Sequence, residues 1–147
     1  MTKLTLLLAL LGLLSTTSCK KDDETRPANY DILAMENGHW EWESTIYFGA
    51  GYTPATEGYS RQLTFLANNQ LLLRRSNQAE QRTNYQLSVG AGGSPTITYN
   101  TNEGKLTNQD VKYYRITPQN GHQVLQLSGE GVAYDAGGVE TYHWVKE

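Results

Sequence analysis

Apolar and polar residues alternate along positions 38–48, and this is the strongest pattern in the chain. One side of the segment carries the large apolar residues Trp40, Trp42, Ile46 and Phe48. The other side carries the polar residues His39, Glu41, Glu43 and Thr45. Because successive side chains of a strand point to opposite faces, the pattern predicts a β-strand with one buried and one solvated face. Its two tryptophans form a large anchor that later strands must cover.

Seven further runs rich in Tyr, Thr, Val, Ile and Leu follow this strand, and turn-forming residues separate them. The runs predict strands at 59–67, 70–76, 82–89, 95–101, 110–117, 122–128 and 139–146. Asn68-Asn69 and Asn120-Gly121 suit tight hairpin turns, because Asn and Gly tolerate positive φ. The connection at 49–58 is rich in glycine and predicts a long mobile loop.

Eight sequential strands joined by short turns form a meander, so the predicted fold class is all-β. An eight-stranded meander removes its exposed edges by closing into an up-and-down barrel. Closure would lay the last strand beside the first and bring Trp144 close to Trp40 or Trp42. The folded domain is predicted to cover 37–147, a length that fits one small domain.

The first 18 residues have the pattern of a secretory signal peptide. Lys3 precedes an apolar run at 4–14, and small polar residues follow at 15–18. A membrane-spanning helix is the alternative, but such a helix needs roughly 20 apolar residues and this run is shorter. The pattern therefore favours a signal peptide at 1–18.

Cys19, the only cysteine of the chain, directly follows this leader. Its position resembles the lipobox of bacterial lipoproteins, although Thr16 stands where such a box usually has an aliphatic residue. The resemblance implies that Cys19 carries a lipid and that 19–36 is a flexible tether. The alternative is ordinary cleavage that leaves a free thiol. A lone thiol in an oxidising compartment is a liability, which favours lipidation.

Charged residues follow the cysteine in the order Lys20-Lys21-Asp22-Asp23-Glu24. They suit a solvated tether, and they also resemble the acidic signal of surface lipoproteins in the Bacteroidota. That resemblance implies an outer-membrane lipoprotein of the cell envelope, facing either the periplasm or the cell surface. The formal net charge of −3 argues against nucleic-acid binding and against electrostatic attachment to a membrane. The lipid would then be the membrane contact.

Motifs for catalysis are absent from the sequence. It contains no Gly-x-Ser-x-Gly, and its glycine-rich turns do not match a phosphate-binding loop. His39, Glu41 and Glu43 share one strand face and are candidate metal ligands. However, residues i and i+2 of a strand lie about 7 Å apart, which favours a solvated polar face. The sequence therefore predicts a protein that is not an enzyme and that uses neither a cofactor nor a metal.

Gly38-His39-Trp40 at the start of the first strand matches the Gly-x-Trp motif of lipocalins and related calycins. The segment 63–69, Leu-Thr-Phe followed by a turn at Asn68-Asn69, resembles a strand and turn of small bacterial lipocalin-like lipoproteins. The resemblance covers 37–147 in the number and order of strands.

The resemblance to lipocalins implies a barrel with one closed end, plugged here by Gly38, Trp40 and Trp144. In lipocalins an arginine from near the last strand covers the motif tryptophan. No arginine follows Arg115 in this chain, so that residue is missing or is replaced by Lys146. This departure from the family pattern makes "lipocalin-like" the appropriate description.

A lipocalin-like barrel also implies an open mouth that can hold a small apolar ligand. Tyrosine has an apolar ring and a polar tip, so tyrosines in the strands can line such a cavity. The candidates are Trp42, Tyr85, Tyr99, Tyr113, Tyr114 and Tyr142. The alternative is that tyrosine simply suits half-buried strands. The sequence thus predicts a lipid-anchored protein that binds a small hydrophobic ligand; the alternative is a surface module with a filled barrel that contacts a protein or glycan.

Overall fold

The predicted strands form one antiparallel sheet that closes on itself. The computed structural model describes residues 27–47, 49–99, 110–129 and 138–147. In chain order the strands are β1 (Gly38–Tyr47), β2 (Ala50–Tyr52), β3 (Arg61–Phe65), β4 (Gln70–Arg75), β5 (Gln81–Val89), β6 (Pro95–Tyr99), β7 (Asp110–Gln119), β8 (His122–Gly129) and β9 (Val139–Lys146). The other described elements are the short helices α1 (Tyr30–Leu33) and α2 (Pro54–Glu57) and a 3-10 turn at Ala91–Gly93.

Eight of these strands form the barrel, in the order β1, β3, β4, β5, β6, β7, β8 and β9, and β9 pairs back onto β1. The all-β, eight-stranded up-and-down barrel predicted from the sequence is therefore confirmed. In the closing pair, Trp40 stands opposite Trp144 and Trp42 stands opposite Tyr142. The rings of Trp40 and Trp144 meet edge to face with centroids 5.2 Å apart, so the predicted proximity of these residues is also confirmed.

A β-bulge interrupts β1 between Trp42 and Ser44, where Glu43 is the extra residue. One extra residue reverses the faces of all positions that follow it. Thr45 therefore pairs with Glu140 on the inward face, and Ile46 pairs with Val139 on the outward face. The prediction that Ile46 shares the buried face of the tryptophans is wrong, and its side chain is 56% exposed. Phe48, the last residue of that predicted face, lies outside the described residues.

The segment predicted as a mobile loop at 49–58 contains regular structure instead. Strand β2 folds back on β1, with Ala50 opposite Tyr47. The helix α2 follows; the Thr53 side chain caps its first turn, and Gly58 ends it with φ +73°. The prediction of a loop was wrong here. A strand of three residues and a helix of four are too short to show the periodic pattern of apolar residues from which such elements are predicted.

The lead-in before β1 closes one end of the barrel. Leu33 at the end of α1 is fully buried in the hydrophobic core. Its carbonyl oxygen accepts a 2.9 Å hydrogen bond from Trp40 Nε1, and the Ala28 carbonyl oxygen accepts one of 2.9 Å from the Tyr114 hydroxyl. Trp40 and Leu71 belong to the same hydrophobic core and also have no solvent access. This end of the barrel is therefore filled with side chains.

Gly38 lies where the ends of β1 and β9 approach each other closely. A Cβ atom at this position would meet the Val145 carbonyl oxygen and would lie 2.5 Å from Cζ2 of Trp144. Only glycine fits that approach without a shift of the neighbouring strand. Gly38, Trp40 and Trp144 thus meet at the closed end, whereas Lys146 is exposed.

Candidate functional site

A cavity of about 500 Å³ opens at the end of the barrel opposite α1. Neighbouring strands run in opposite directions, so its wall combines the beginnings of β3, β7 and β9 with the ends of β4 and β6. The residues of the wall that define its chemistry are Arg61, Arg75, Tyr99, Lys112, Glu140 and Tyr142. Leu63 and Leu73 supply apolar surface. The volume lies in the range of small-molecule sites.

Three charged side chains meet in the wall, and we call Arg61, Lys112 and Glu140 the charge cluster. Lys112 Nζ lies 2.8 Å from Glu140 Oε1, and the Tyr142 hydroxyl donates a 2.6 Å hydrogen bond to Glu140 Oε2. Arg61 Nη1 lies 3.9 Å from the same Oε2. All three side chains are mostly buried, with 11–18% of their surface exposed.

The surroundings of Glu140 keep it ionised. Burial alone raises the pKa of this carboxyl, but the positive charges of Lys112 and Arg61 and the hydrogen bonds from Lys112 and Tyr142 outweigh it, so the pKa is lowered. Tyr142 shows the opposite effect: burial first, and then the charge of Glu140, hold its pKa well above 10. Glu140 therefore accepts hydrogen bonds as a carboxylate, and Tyr142 donates as a neutral phenol.

A chain of aromatic contacts borders the charge cluster, and we call Arg61, Trp42, Tyr59 and Arg75 the cation–aromatic stack. The Arg61 guanidinium carbon lies 4.0 Å from the centre of the Trp42 ring. Trp42 stacks on Tyr59 with centroids 5.8 Å apart. The Arg75 guanidinium carbon lies 5.4 Å from the centre of the Tyr59 ring. Such contacts fix the planes of guanidinium groups in place.

The bulge in β1 completes this arrangement by turning Thr45 inward. The Thr45 hydroxyl oxygen accepts a 2.8 Å hydrogen bond from Arg61 Nη2 and a 3.0 Å hydrogen bond from Trp42 Nε1. Without the extra residue Glu43, position 45 would point outward. The bulge therefore anchors the buried end of the cation–aromatic stack.

The six residues predicted to line a cavity occupy four kinds of place. Tyr99 and Tyr142 belong to the cavity wall. Trp42 is 2% exposed and lies behind Arg61 in the cation–aromatic stack. Tyr113 does not line the cavity, because it pairs with Thr96 and Ser128 on the opposite face from Tyr114.

Tyr85 and Tyr114 also point inward, but they lie in the filled part of the barrel and do not belong to the cavity wall. The Tyr85 hydroxyl donates a 3.0 Å hydrogen bond to the Leu66 carbonyl oxygen, and the Tyr114 hydroxyl donates to Ala28 at the closed end. Burial raises the pKa of each phenol to about 12. Both tyrosines therefore act as neutral core residues.

Sequence reasoning missed the charged residues of the site. Charged side chains in a strand are normally expected to face solvent. None of the four charged residues of the wall was therefore among the predicted site residues: Arg61, Arg75, Lys112 and Glu140. A signal for two of them exists in the strand period. Lys112 shares its face with Tyr114 and Ile116, and Glu140 shares its face with Tyr142.

The histidines point to the outer side of the barrel, away from the cavity, and His39 is buried there. His143 Nδ1 lies 3.1 Å from Glu43 Oε1, and His39 Nδ1 lies 3.3 Å from Glu147 Oε1. Within the described ranges, no group of three or more His, Cys, Asp or Glu side chains is arranged to hold a metal ion.

The chemistry that the cavity wall supports is the binding of polar groups. Both carboxylate oxygens of Glu140 accept short hydrogen bonds. The lowered pKa of Glu140 also makes it a weak proton acceptor at neutral pH. Guanidinium and ammonium groups donate hydrogen bonds and do not give up protons readily. The arrangement therefore suits recognition better than proton transfer.

The predicted signal peptide at 1–18 and the predicted lipidation site Cys19 lie outside the described residues. In the described part of the chain, the helices are too short and too polar to cross a membrane. Comparisons with protein-family models, with curated proteins and with solved structures found no match for this chain. The fold is a closed eight-stranded antiparallel β-barrel and is compatible with a calycin-like fold.

Proposed function

We propose that this chain is a lipid-anchored, lipocalin-like protein of the cell envelope that binds a small molecule at the open end of its barrel. The observation that carries the proposal is the cavity of about 500 Å³. It combines apolar surface from Leu63 and Leu73 with aromatic rings and preorganised hydrogen-bond donors. Small-molecule sites typically have this mixture of apolar lining and a few fixed polar groups.

The filled closed end limits what the barrel can hold. Leu33, Trp40 and Leu71 have no solvent access and occupy the inner part of the barrel. A ligand must therefore stay within the outer part, where the charge cluster lies. This favours a short ligand with an apolar body over a long-chain lipid that would need the whole barrel.

The position of the lead-in supports a lipid anchor that leaves the cavity open. The hydrogen bond from Tyr114 holds Ala28 at the closed end of the barrel. A tether that begins at Cys19 would thus join the barrel at the end away from the cavity. The lipid would hold the protein at the membrane, and the opening would stay accessible to a diffusing ligand.

Binding is tested with two fluorescent probes of nearly the same shape, neutral N-phenyl-1-naphthylamine and anionic 8-anilino-1-naphthalenesulfonate. We expect at least one of them to bind saturably with about one site per chain. Ala79→Trp should abolish this binding, because Ala79 is an exposed residue of the cavity wall and a large side chain there obstructs the opening.

Ala67→Trp is the matched control for the cavity test. Ala67 is also exposed, but it lies in the turn between β3 and β4 at the closed end. This variant should bind the probes like the wild type. Absence of saturable binding of both probes, or equal binding by the Ala79→Trp variant, would contradict the proposed cavity function.

The anchor is tested on the full chain expressed in a bacterial host that processes lipoproteins. We expect mass spectrometry to find a mature N-terminus at Cys19 that carries acyl chains. Cys19→Ala should move the protein from the membrane fraction to the soluble fraction, whereas Ser18→Ala should leave it membrane-bound. An unmodified Cys19, or cleavage at another position, would overturn the anchor.

A second candidate function is an interaction module, and the β1–β2 hairpin favours it. Ile46, Tyr47 and Tyr52 expose 56%, 42% and 39% of their surfaces on this hairpin. Exposed aromatic and aliphatic side chains on neighbouring strands are typical of protein-contact surfaces. This function would gain support if neither probe bound the cavity.

A further inference from the structure

The wall of the cavity is cationic, although the whole chain has a formal net charge of −3. Its described residues include three cations, Arg61, Arg75 and Lys112, and one carboxylate, that of Glu140. Arg74 also lines the cavity, but it pairs with Glu80 at 2.6 Å and adds no net charge. Positive charge is thus concentrated at the opening of an acidic protein.

The two arginines of the wall occupy directly opposite positions on neighbouring strands. Arg61 on β3 is the cross-strand partner of Arg75 on β4. Like charges in directly opposite positions of a sheet destabilise it. The pair therefore costs folding free energy, and a bound anion would offset this cost.

Glu140 does not serve as the anion for this pair. Its Oε1 contacts Lys112 at 2.8 Å, and its Oε2 accepts from Tyr142 at 2.6 Å. Arg61 stays 3.9 Å away, which is beyond hydrogen-bond distance. Its buried Nε–H group has no hydrogen-bond partner among the described residues. Arg61 thus has donor capacity that the protein itself does not use.

Arg75 stands at the entrance of the same cavity. Its side chain is exposed and its guanidinium group lies over the ring of Tyr59. In the described part of the chain, no carboxylate forms an ion pair with Arg75. The cation–aromatic stack therefore presents two guanidinium groups at fixed positions, and at least one of them is open to a ligand.

We infer that the ligand of this cavity is a small organic anion, whose acid group binds at Arg75 in the cationic wall and whose apolar body lies against Leu63, Leu73 and Tyr99. Planar guanidinium groups match the oxygens of carboxylate, sulfonate and phosphate groups, so the shared chemistry is an oxyanion. The inference rests on the proposed binding function and deepens it by naming the class of ligand.

The same two probes test the charge of the ligand, because they differ chiefly in the sulfonate group. At low ionic strength we expect 8-anilino-1-naphthalenesulfonate to bind at least tenfold more tightly than N-phenyl-1-naphthylamine. Added salt should lower the affinity of the anionic probe and leave the affinity of the neutral probe almost unchanged. Equal affinity of both probes would overturn the anion inference, yet it would leave the proposed cavity function standing.

Arg75→Gln is the decisive variant, because Arg75 is exposed and its loss removes a like-charge pair. We expect it to lower the affinity of the anionic probe about tenfold and to keep the affinity of the neutral probe. The free variant should melt no lower than the wild type. Arg115→Gln is the matched control: it removes an exposed arginine from the outward face of β7, and it should change neither affinity.

Three results are distinguishable in this experiment. Unchanged binding of the anionic probe by the Arg75→Gln variant would overturn the anion inference. An equal loss in the Arg115→Gln variant would also overturn it, because general surface charge would then explain the effect. Failure of both probes to bind the wild type would overturn the proposed function, and the anion inference with it.

Discussion

Trp40→Ala is expected to lower the free energy of unfolding by about 3–5 kcal/mol. Trp40 has no solvent access, its indole N–H donates to the Leu33 carbonyl oxygen at 2.9 Å, and its ring packs edge to face on Trp144. Alanine would leave a cavity in the closed end and an unsatisfied buried carbonyl group. Urea denaturation and thermal melting measure the loss, and Tm should fall by more than about 10 °C.

Trp40→Phe is the matched variant for this position. It keeps an aromatic ring against Trp144 and removes the hydrogen bond to Leu33, so it should cost about 1–3 kcal/mol. Neither variant should change the affinity of a probe in the folded protein, because the cavity opens at the other end of the barrel. A Trp40→Ala variant with unchanged Tm would contradict the role of Trp40 as a structural plug.

Lys112→Met is expected to lower the free energy of unfolding at neutral pH by about 3–5 kcal/mol. Lys112 is the nearest cation to Glu140, at 2.8 Å, and both side chains are mostly buried. Without Lys112, the Glu140 carboxylate keeps the hydrogen bond from Tyr142, and its nearest described cation is Arg61 at 3.9 Å. The double variant Lys112→Met/Glu140→Gln should recover most of the loss, because it removes the uncompensated charge.

The loss caused by Lys112→Met should depend on pH in a defined direction. In the wild type the pKa of Glu140 is lowered from 4.5, so the pair contributes stability above the unfolded-state pKa and loses it as pH falls through the folded-state pKa. In the variant, the main charge that lowers this pKa is absent. The difference in unfolding free energy between variant and wild type should therefore shrink as pH falls and Glu140 becomes neutral.

Arg115→Met controls for the loss of a cation from β7. Arg115 is exposed, and its partner across the sheet is Gln126, so its loss should change the unfolding free energy by less than about 0.5 kcal/mol. A Lys112→Met variant whose loss was equal at neutral and at acid pH would contradict the ion-pair explanation. Simple loss of packing by the lysine stem would then be the cause.

The charge cluster and the cation–aromatic stack share Arg61, and this links stability to binding. Arg61 stacks on Trp42 and donates to Thr45, while its charge also acts on Glu140. Substitution of Arg61 would therefore disturb the core as well as the cavity. Arg75 lies outside the charge cluster, which is why its substitution separates recognition from folding.

The eight-stranded barrel could be predicted from local patterns in the sequence. A period of two in the strands and short turns between them led directly to eight strands and to closure. At the turns, Asn69, Asn120 and Gly121 have the positive φ values of 62°, 52° and 83° that their residue types suggested. These properties are local, so they can be read from neighbouring residues.

The side chains inside the open end, in contrast, depend on contacts between distant strands. The bulge at Glu43 appears only in the pairing of β1 with β9, whose register shifts between Trp42 and Ser44. The residues next to Glu43 do not predict it. The bulge turns Thr45 inward and Ile46 outward, against the predicted pattern.

The cavity wall shows the same limit. Lys112 becomes a buried residue because Glu140, 28 residues later in the chain, lies 2.8 Å from it. Arg61 and Arg75 occupy directly opposite positions because β3 and β4 pair in one particular register. Burial of a charge depends on a partner from another strand, and that partner is set by register and closure, which no single strand contains.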